Sequence, residues 1–188
     1  MENKFKLLEE QAGSLLLQNS LTIACAESCT GGMLTSRLTD VPGSSAYVLG
    51  AVVSYTNDVK ISHLGVRAET LSSVGAVSEA TAKEMANGVR ARIGADIGVG
   101  ITGIAGPGGG SAEKPVGLVY IAVSGGHGIV ATKNLFSGTR LEIKRQSTDK
   151  ALSMLIEYIE QYKNSCYSNN DLISVSCFFQ NILLELLT

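Results

Sequence analysis

The chain has 188 residues, 45% of them hydrophobic, enough to bury about two thirds of the surface its unfolded form would expose, so a single domain with one core is expected. Its 15 basic and 17 acidic residues leave a net charge of −2 with no long run of either sign, which argues against a nucleic-acid or membrane partner and for a small soluble one. The 21 glycines, absence of tryptophan and 5% aromatic content suit a compact α/β protein whose backbone must approach something closely, so the places where glycine clusters matter.

In chain order, residues 4–19 carry Phe5, Leu8, Ala12, Leu15 and Leu16 at spacings of three and four, which predicts an amphipathic helix, and Leu21 to Ala26 follows as a short buried strand. At Glu27-Ser28-Cys29-Thr30-Gly31-Gly32 the chain turns into a second helix that carries Met33, Leu34 and Leu38 inward and stops before Pro42. Tyr47 to Tyr55 reads as a strand, and Asn57 is placed to cap a short helix holding Asp58, Lys60 and His63. Ser78 opens a helix with an inward stripe of Ala82, Met85, Ala86, Val89 and Ile93. Asp96 to Thr102 then predicts a strand buried on both faces. It leads into the loop from Gly103 to Gly110. Val116 to Val123 and Ile129 to Phe136 are two further strands, joined by a hairpin-length connection that makes part of the sheet antiparallel. A long helix from about Arg140 to Tyr162 completes a three-layer α/β/α sandwich with a mixed sheet of about five strands.

Residues 1–163 form this expected domain. From 164 to 188 the chain is first polar and then places Val175, Phe178, Phe179, Ile182, Leu183 and Leu186 at helical spacing, which predicts an additional C-terminal helix that packs or forms oligomers. That segment is shorter than the roughly 20 residues of a membrane span. The four cysteines, Cys25, Cys29, Cys166 and Cys177, make no C-x-x-C pair, and the N-terminus lacks the layout of a secretory signal, so a cytoplasmic protein with free thiols is expected. No metal site is legible around His63 or His127.

Ser28 lies where a buried strand gives way to a helix. The N–H groups at Thr30, Gly31 and Gly32 are expected to lack intrahelical partners and to be open to an oxyanion. That arrangement suits acyl transfer, although a serine here can equally be a helix cap. A serine nucleophile needs a base, and neither histidine has an acidic orienter. Lys60, among Tyr55, Val59, Ile61 and Leu64, becomes that base if burial depresses its pKa; otherwise it is a solvated surface lysine. Cys29 is a rival nucleophile or a packed small side chain, since adjacent residues at a helix start point about a hundred degrees apart and only one is expected to face the site. The loop glycines Gly103, Gly106 and Gly109 follow G-x-x-G-x-x-G, not a dinucleotide fingerprint, yet they suit backbone contact with a phosphate or carbonyl beside the Thr102 hydroxyl. Arg140 and Arg145 are candidates for a phosphate or carboxylate, or ordinary surface arginines.

Taken together, AESCTGG at 26–32, PGSS at 42–45, SYTNDVK at 54–60, GVR at 65–67, GAVSE at 75–79, GITGIAGPGGG at 100–110, EKPVG at 113–117 and FSGTR at 136–140 resemble the CinA C-terminal domain family over about residues 5 to 163. The resemblance implies a nicotinamide mononucleotide deamidase, an amidohydrolase that yields nicotinic acid mononucleotide and ammonia for NAD recycling without metal or cofactor. Its serine and lysine dyad falls on Ser28 and Lys60, with Tyr55, Thr102 and Arg140 at family site positions. Ser44 and Ser45 of the PGSS string join Thr30, Gly31, Gly32, Gly103, Gly106 and Arg145 as candidate oxyanion or substrate contacts. The expected partner is a pyridine nucleotide, with self-association into a dimer or larger homo-oligomer; the alternative is a nucleotide-binding module without turnover. Longer relatives carry a nucleotide-processing domain in front, whose pyrophosphatase activity is not expected of these residues.

Overall fold

Alternating side-chain direction along buried strands divides the molecule into layers. The computed structural model describes residues 7–168, in which α1 (Leu8–Gln18), β1 (Ile23–Glu27), α2 (Met33–Thr39), β2 (Val48–Val53), α3 (Asn57–Leu64), α4 (Ala68–Ser73), α5 (Glu79–Ile93), β3 (Ile97–Gly103), β4 (Leu118–Gly125), β5 (Gly128–Leu135) and α6 (Arg140–Ser168) follow in order. The sheet runs β2-β1-β3-β4-β5, with β1 parallel to β2 and β3, and β4 antiparallel to β3 and β5. The expected mixed, five-stranded α/β/α sandwich is the observed fold.

Ile23 and Cys25 of β1, Val99 and Ile101 of β3, and Val119, Ile121 and Val123 of β4 face the layer of α1, α2 and α6, where they meet Leu16, Leu34, Leu38, Leu152 and Leu155 in the main core. The opposite face is built from small side chains. Ala24, Ala26 and Ala122 pack there against Met85, Val89, Ala82 and Ala86, and a Cβ at Gly100 would lie 2.4 Å from the Ala82 carbonyl oxygen. Small residues therefore let α5 lie directly on the sheet.

Several expectations are corrected. α4 carries no strong apolar stripe, and only Thr70 of its six residues is buried, so periodicity did not announce it. The cap of α3 is Thr56, whose Oγ1 accepts from the Val59 N–H at 3.3 Å, and Asn57 is the first helical residue. Tyr47 and Tyr55 flank β2; Tyr47 is instead buried beside α2, its hydroxyl donating to the Leu38 carbonyl at 3.2 Å. The start of the first predicted helix, with Phe5, and the helix expected over Val175 to Leu186 lie outside the described residues; residues 164–168 extend α6.

Candidate active site

The crossover from β1 to β2 passes through α2 on one face of the sheet, and that from β2 to β3 passes through α3, α4 and α5 on the other. Oppositely directed connections leave a crevice at the carboxyl ends of β1 and β3, the usual ligand position in open α/β sheets. A cavity of about 290 Å³ opens there.

β1 delivers Ser28 to this crevice. The Ser28 N–H donates to the Ile101 carbonyl of β3 at 3.0 Å, and its own carbonyl accepts from the Gly31 N–H at 3.2 Å, so the turn is pinned to the neighbouring strand. Lys60 arrives from the first turns of α3. It is 2% exposed, with Nζ 2.6 Å from the Ser54 carbonyl oxygen and 3.2 Å from Ser28 Oγ. Burial pushes its pKa below the ordinary lysine value, more than the nearby Cys29 thiolate form would raise it. The contact brings together two residues 32 positions apart in sequence.

Thr102, at the end of β3, donates its hydroxyl to the Ala76 carbonyl at 2.8 Å, tying the strand to the segment before α5. Arg140, the first residue of α6, reaches back across the cavity. It donates from Nη1 to the Gly106 carbonyl at 2.7 Å and from Nη2 to the Tyr55 hydroxyl at 2.8 Å. Its guanidinium thus bridges the glycine-rich loop and the β2–α3 connection.

Of the residues singled out from sequence, Ser28, Tyr55, Lys60, Thr102, Gly103, Gly106 and Arg140 line this one cavity. Cys29 lines it as well, against the expectation that only one of the two neighbours would face the site. Burial first, and then the Glu27 charge, push the Cys29 thiol up to about 12. Gly109, the third glycine of the G-x-x-G-x-x-G spacing, lines the cavity too; Asn57 and Gly108 also line it, though no sequence signal assigned them to it beyond the position of Asn57 at a helix start and the loop's glycine content.

The other candidates lie elsewhere. Ser44 and Ser45 form a 3₁₀ turn before β2. The adjacent Val48 pairs with Ile23, the first residue of β1, so both serines sit at the amino end of the parallel strands, opposite Ser28. Arg145 lies farther along α6 and does not line the cavity. Thr30 is fully buried, its hydroxyl without a hydrogen-bond partner among the described residues. Gly31 and Gly32 precede α2, and their N–H groups are not the orphans expected. Gly31 N donates to the Ser28 carbonyl, and Gly32 N donates to Glu27 Oε2 at 3.0 Å. His63 pairs with Ser62 Oγ at 2.8 Å, and His127 sits in the β4–β5 turn at the other end of the sheet.

Among the described residues no group of three or more His, Cys, Asp or Glu side chains is placed to hold a metal ion, and no helix is long and apolar enough to cross a membrane.

Comparison with known proteins gives a consistent result. The family model described as the CinA C-terminal domain matches residues 5–159. A putative competence-damage inducible protein of Halothermothrix orenii is 52% identical over 154 residues, spanning 81% of this chain and 37% of that protein. One from Moorella thermoacetica is 53% identical over 148 residues, spanning 79% and 36%. The chain thus spans little more than a third of these curated relatives. Among solved structures, the competence/damage inducible protein CihA from Agrobacterium tumefaciens superposes with a TM-score of 0.78 at 44% identity, covering 84% of this chain and 98% of that one. A CinA superfamily protein from Klebsiella pneumoniae gives 0.79 at 34% identity, covering 82% and 96%.

Proposed function

The chain belongs to the CinA C-terminal domain family, and from that membership and the Ser28–Lys60 contact we propose that it hydrolyses the carboxamide of nicotinamide mononucleotide to nicotinic acid mononucleotide and ammonia. The observation that carries the reading is a buried lysine amine 3.2 Å from a serine hydroxyl at the floor of an open cavity. A buried amine with a depressed pKa retains a lone pair to take the serine proton.

The steps follow from this placement. Ser28 Oγ attacks the amide carbon while its proton passes to Lys60 Nζ. Lys60 then returns that proton to the leaving nitrogen, the C–N bond breaks, and ammonia departs. Water attacks the resulting ester at the same carbon, gives its proton to Lys60, and Ser28 leaves as the hydroxyl. With the Gly31 and Gly32 donors occupied and Thr30 fully buried outside the cavity lining, the donor proposed for the oxyanion is the backbone N–H of Cys29, the residue after Ser28, which lines the cavity. Arg140 keeps further N–H donors beyond its two bonds and is the counter-charge for the nucleotide phosphate at the cavity rim. Ser28 is preferred to Cys29 as nucleophile because a thiol raised to about 12 supplies little thiolate near neutrality. The deamidation step places the protein in NAD recycling.

Ammonia release from nicotinamide mononucleotide tests the reading. Ser28→Ala is expected to lose activity by about 10³-fold or more, and Cys29→Ser to retain most of it. The reverse order would assign the chemistry to the thiol, and nucleotide binding without any product would leave a binding module in place of an enzyme.

A further inference from the structure

Glu27, the residue immediately before the proposed nucleophile, is a fully buried carboxylate on which both halves of the site converge. One oxygen accepts from the N–H groups of Gly32 and Leu34 at 3.0 and 3.1 Å; the other accepts from the Thr35 N–H at 2.9 Å and the Thr35 hydroxyl at 2.7 Å. The start of α2 has no side-chain cap at its N-cap position, which is Gly32. Glu27 therefore joins the end of β1 to the beginning of α2 across the turn that carries Ser28. On its main-chain side, the Glu27 carbonyl accepts from the Ser54 N–H at 2.8 Å, and the Ser54 carbonyl is the group that holds Lys60 Nζ. One residue thus fixes the Ser28 turn through its side chain and the Lys60 anchor through its backbone.

A buried carboxylate is costly unless its acceptor capacity is filled, and here four donors fill it. An apolar residue capped by a serine at the helix start would stabilise α2 with less desolvation. What Glu27 adds is a multiply bonded, and so geometrically restrictive, link between strand and turn.

We propose that Glu27 is a positioning residue for the Ser28–Lys60 pair, its carboxylate holding the turn before α2 so that Ser28 Oγ stays within reach of Lys60 Nζ. The proposal rests on the reading of Ser28 as nucleophile given above, and its test does not depend on the natural substrate. A fluorophosphonate probe reports the same geometry: Ser28 Oγ bonds to phosphorus, the P–F bond breaks, fluoride leaves, and the serine proton passes to Lys60.

The rate of probe incorporation is measured well below the unfolding midpoint in wild type, Ser28→Ala, Glu27→Gln and Thr35→Val, alongside that midpoint. Wild type is expected to label and Ser28→Ala not to. Glu27→Gln keeps the shape but turns an amide N–H₂ toward N–H donors, and is expected to label about 10²-fold more slowly while still folded. Thr35→Val removes one of the four donors and is expected to fall between the two, which keeps the test open if the glutamine variant fails to fold. Variants that lose thermal stability but label as fast as wild type would reduce Glu27 to a structural cap and overturn the proposal alone. A wild type that does not label at Ser28 would overturn the nucleophile reading, and the proposal with it.

Discussion

Lys60→Met is expected to lower turnover by about 10³-fold or more, the scale of removing a general base, and at the same time to change how stability depends on pH. The side chain is buried and its folded-state pKa lies below that of a free lysine, because burial disfavours the ammonium form. The sign follows from proton counting. Between the depressed folded pKa and the ordinary unfolded one, the unfolded chain binds more protons, so this lysine's contribution to stability is fully present only above the unfolded value and is lost as pH falls through the folded one. Methionine removes the titration but leaves the Ser54 carbonyl without its 2.6 Å donor. The variant is therefore expected to gain on wild type steadily as pH is lowered and to lose that advantage at alkaline pH. Urea midpoints from pH 6 to 10 measure it, and parallel curves for the two proteins would contradict it. In wild type, kcat/KM is expected to rise with pH through the Lys60 ionisation, since only the neutral amine accepts the serine proton.

How much of this site was legible in sequence depends on the range of the interaction. The strand-turn-helix around Ser28 and the glycine-rich turn after Thr102 are local, and periodicity with turn chemistry located both. Lys60 was legible as a residue near the start of a short helix, but its burial depends on α3 packing against α5, which no local pattern encodes. Ser44 and Ser45 are turn hydroxyls expected among the oxyanion or substrate contacts, yet the register of β1 with β2 puts them at the opposite end of the strands from Ser28. Sequence marks Gly31 and Gly32 as the start of a helix, where N–H groups lack intrahelical partners, without showing what fills them. The Ser28 carbonyl takes the Gly31 N–H, and Glu27, at most eight residues from its donors, takes those of Gly32, Leu34 and Thr35. An acidic residue ending an otherwise apolar strand was the available signal, and strand periodicity alone gave it no meaning. Arg140 was found by its place at a helix start; that it turns back to Tyr55, 85 positions earlier, is a tertiary fact.

The packing that buries Lys60 supplies the second large effect, expected at a position outside the cavity. Gly88 of α5 faces the end of α3, where an added Cβ would lie 1.7 Å from the Leu64 carbonyl oxygen and 2.8 Å from its carbonyl carbon. These are backbone atoms, so no rotamer change relieves the clash; one helix must move. Gly88→Ala raises intrinsic helix propensity by about 1 kcal/mol, but a main-chain overlap of this depth outweighs that gain, and a net loss of about 3 kcal/mol or more is expected in urea unfolding. Leu64 lies one turn beyond Lys60 on the same helix, so the displacement carries the proposed base away from Ser28. Protein that remains folded is therefore expected to lose activity by about 10²-fold, the scale associated with a 1 Å misplacement. Gly108→Ala serves as the comparison, because among the described residues, its own chain neighbours aside, no heavy atom lies within 4 Å of the added Cβ, and its stability should not change. If Gly88→Ala were as stable and as active as wild type, the close seating of α3 on α5 would not be what holds Lys60 against Ser28.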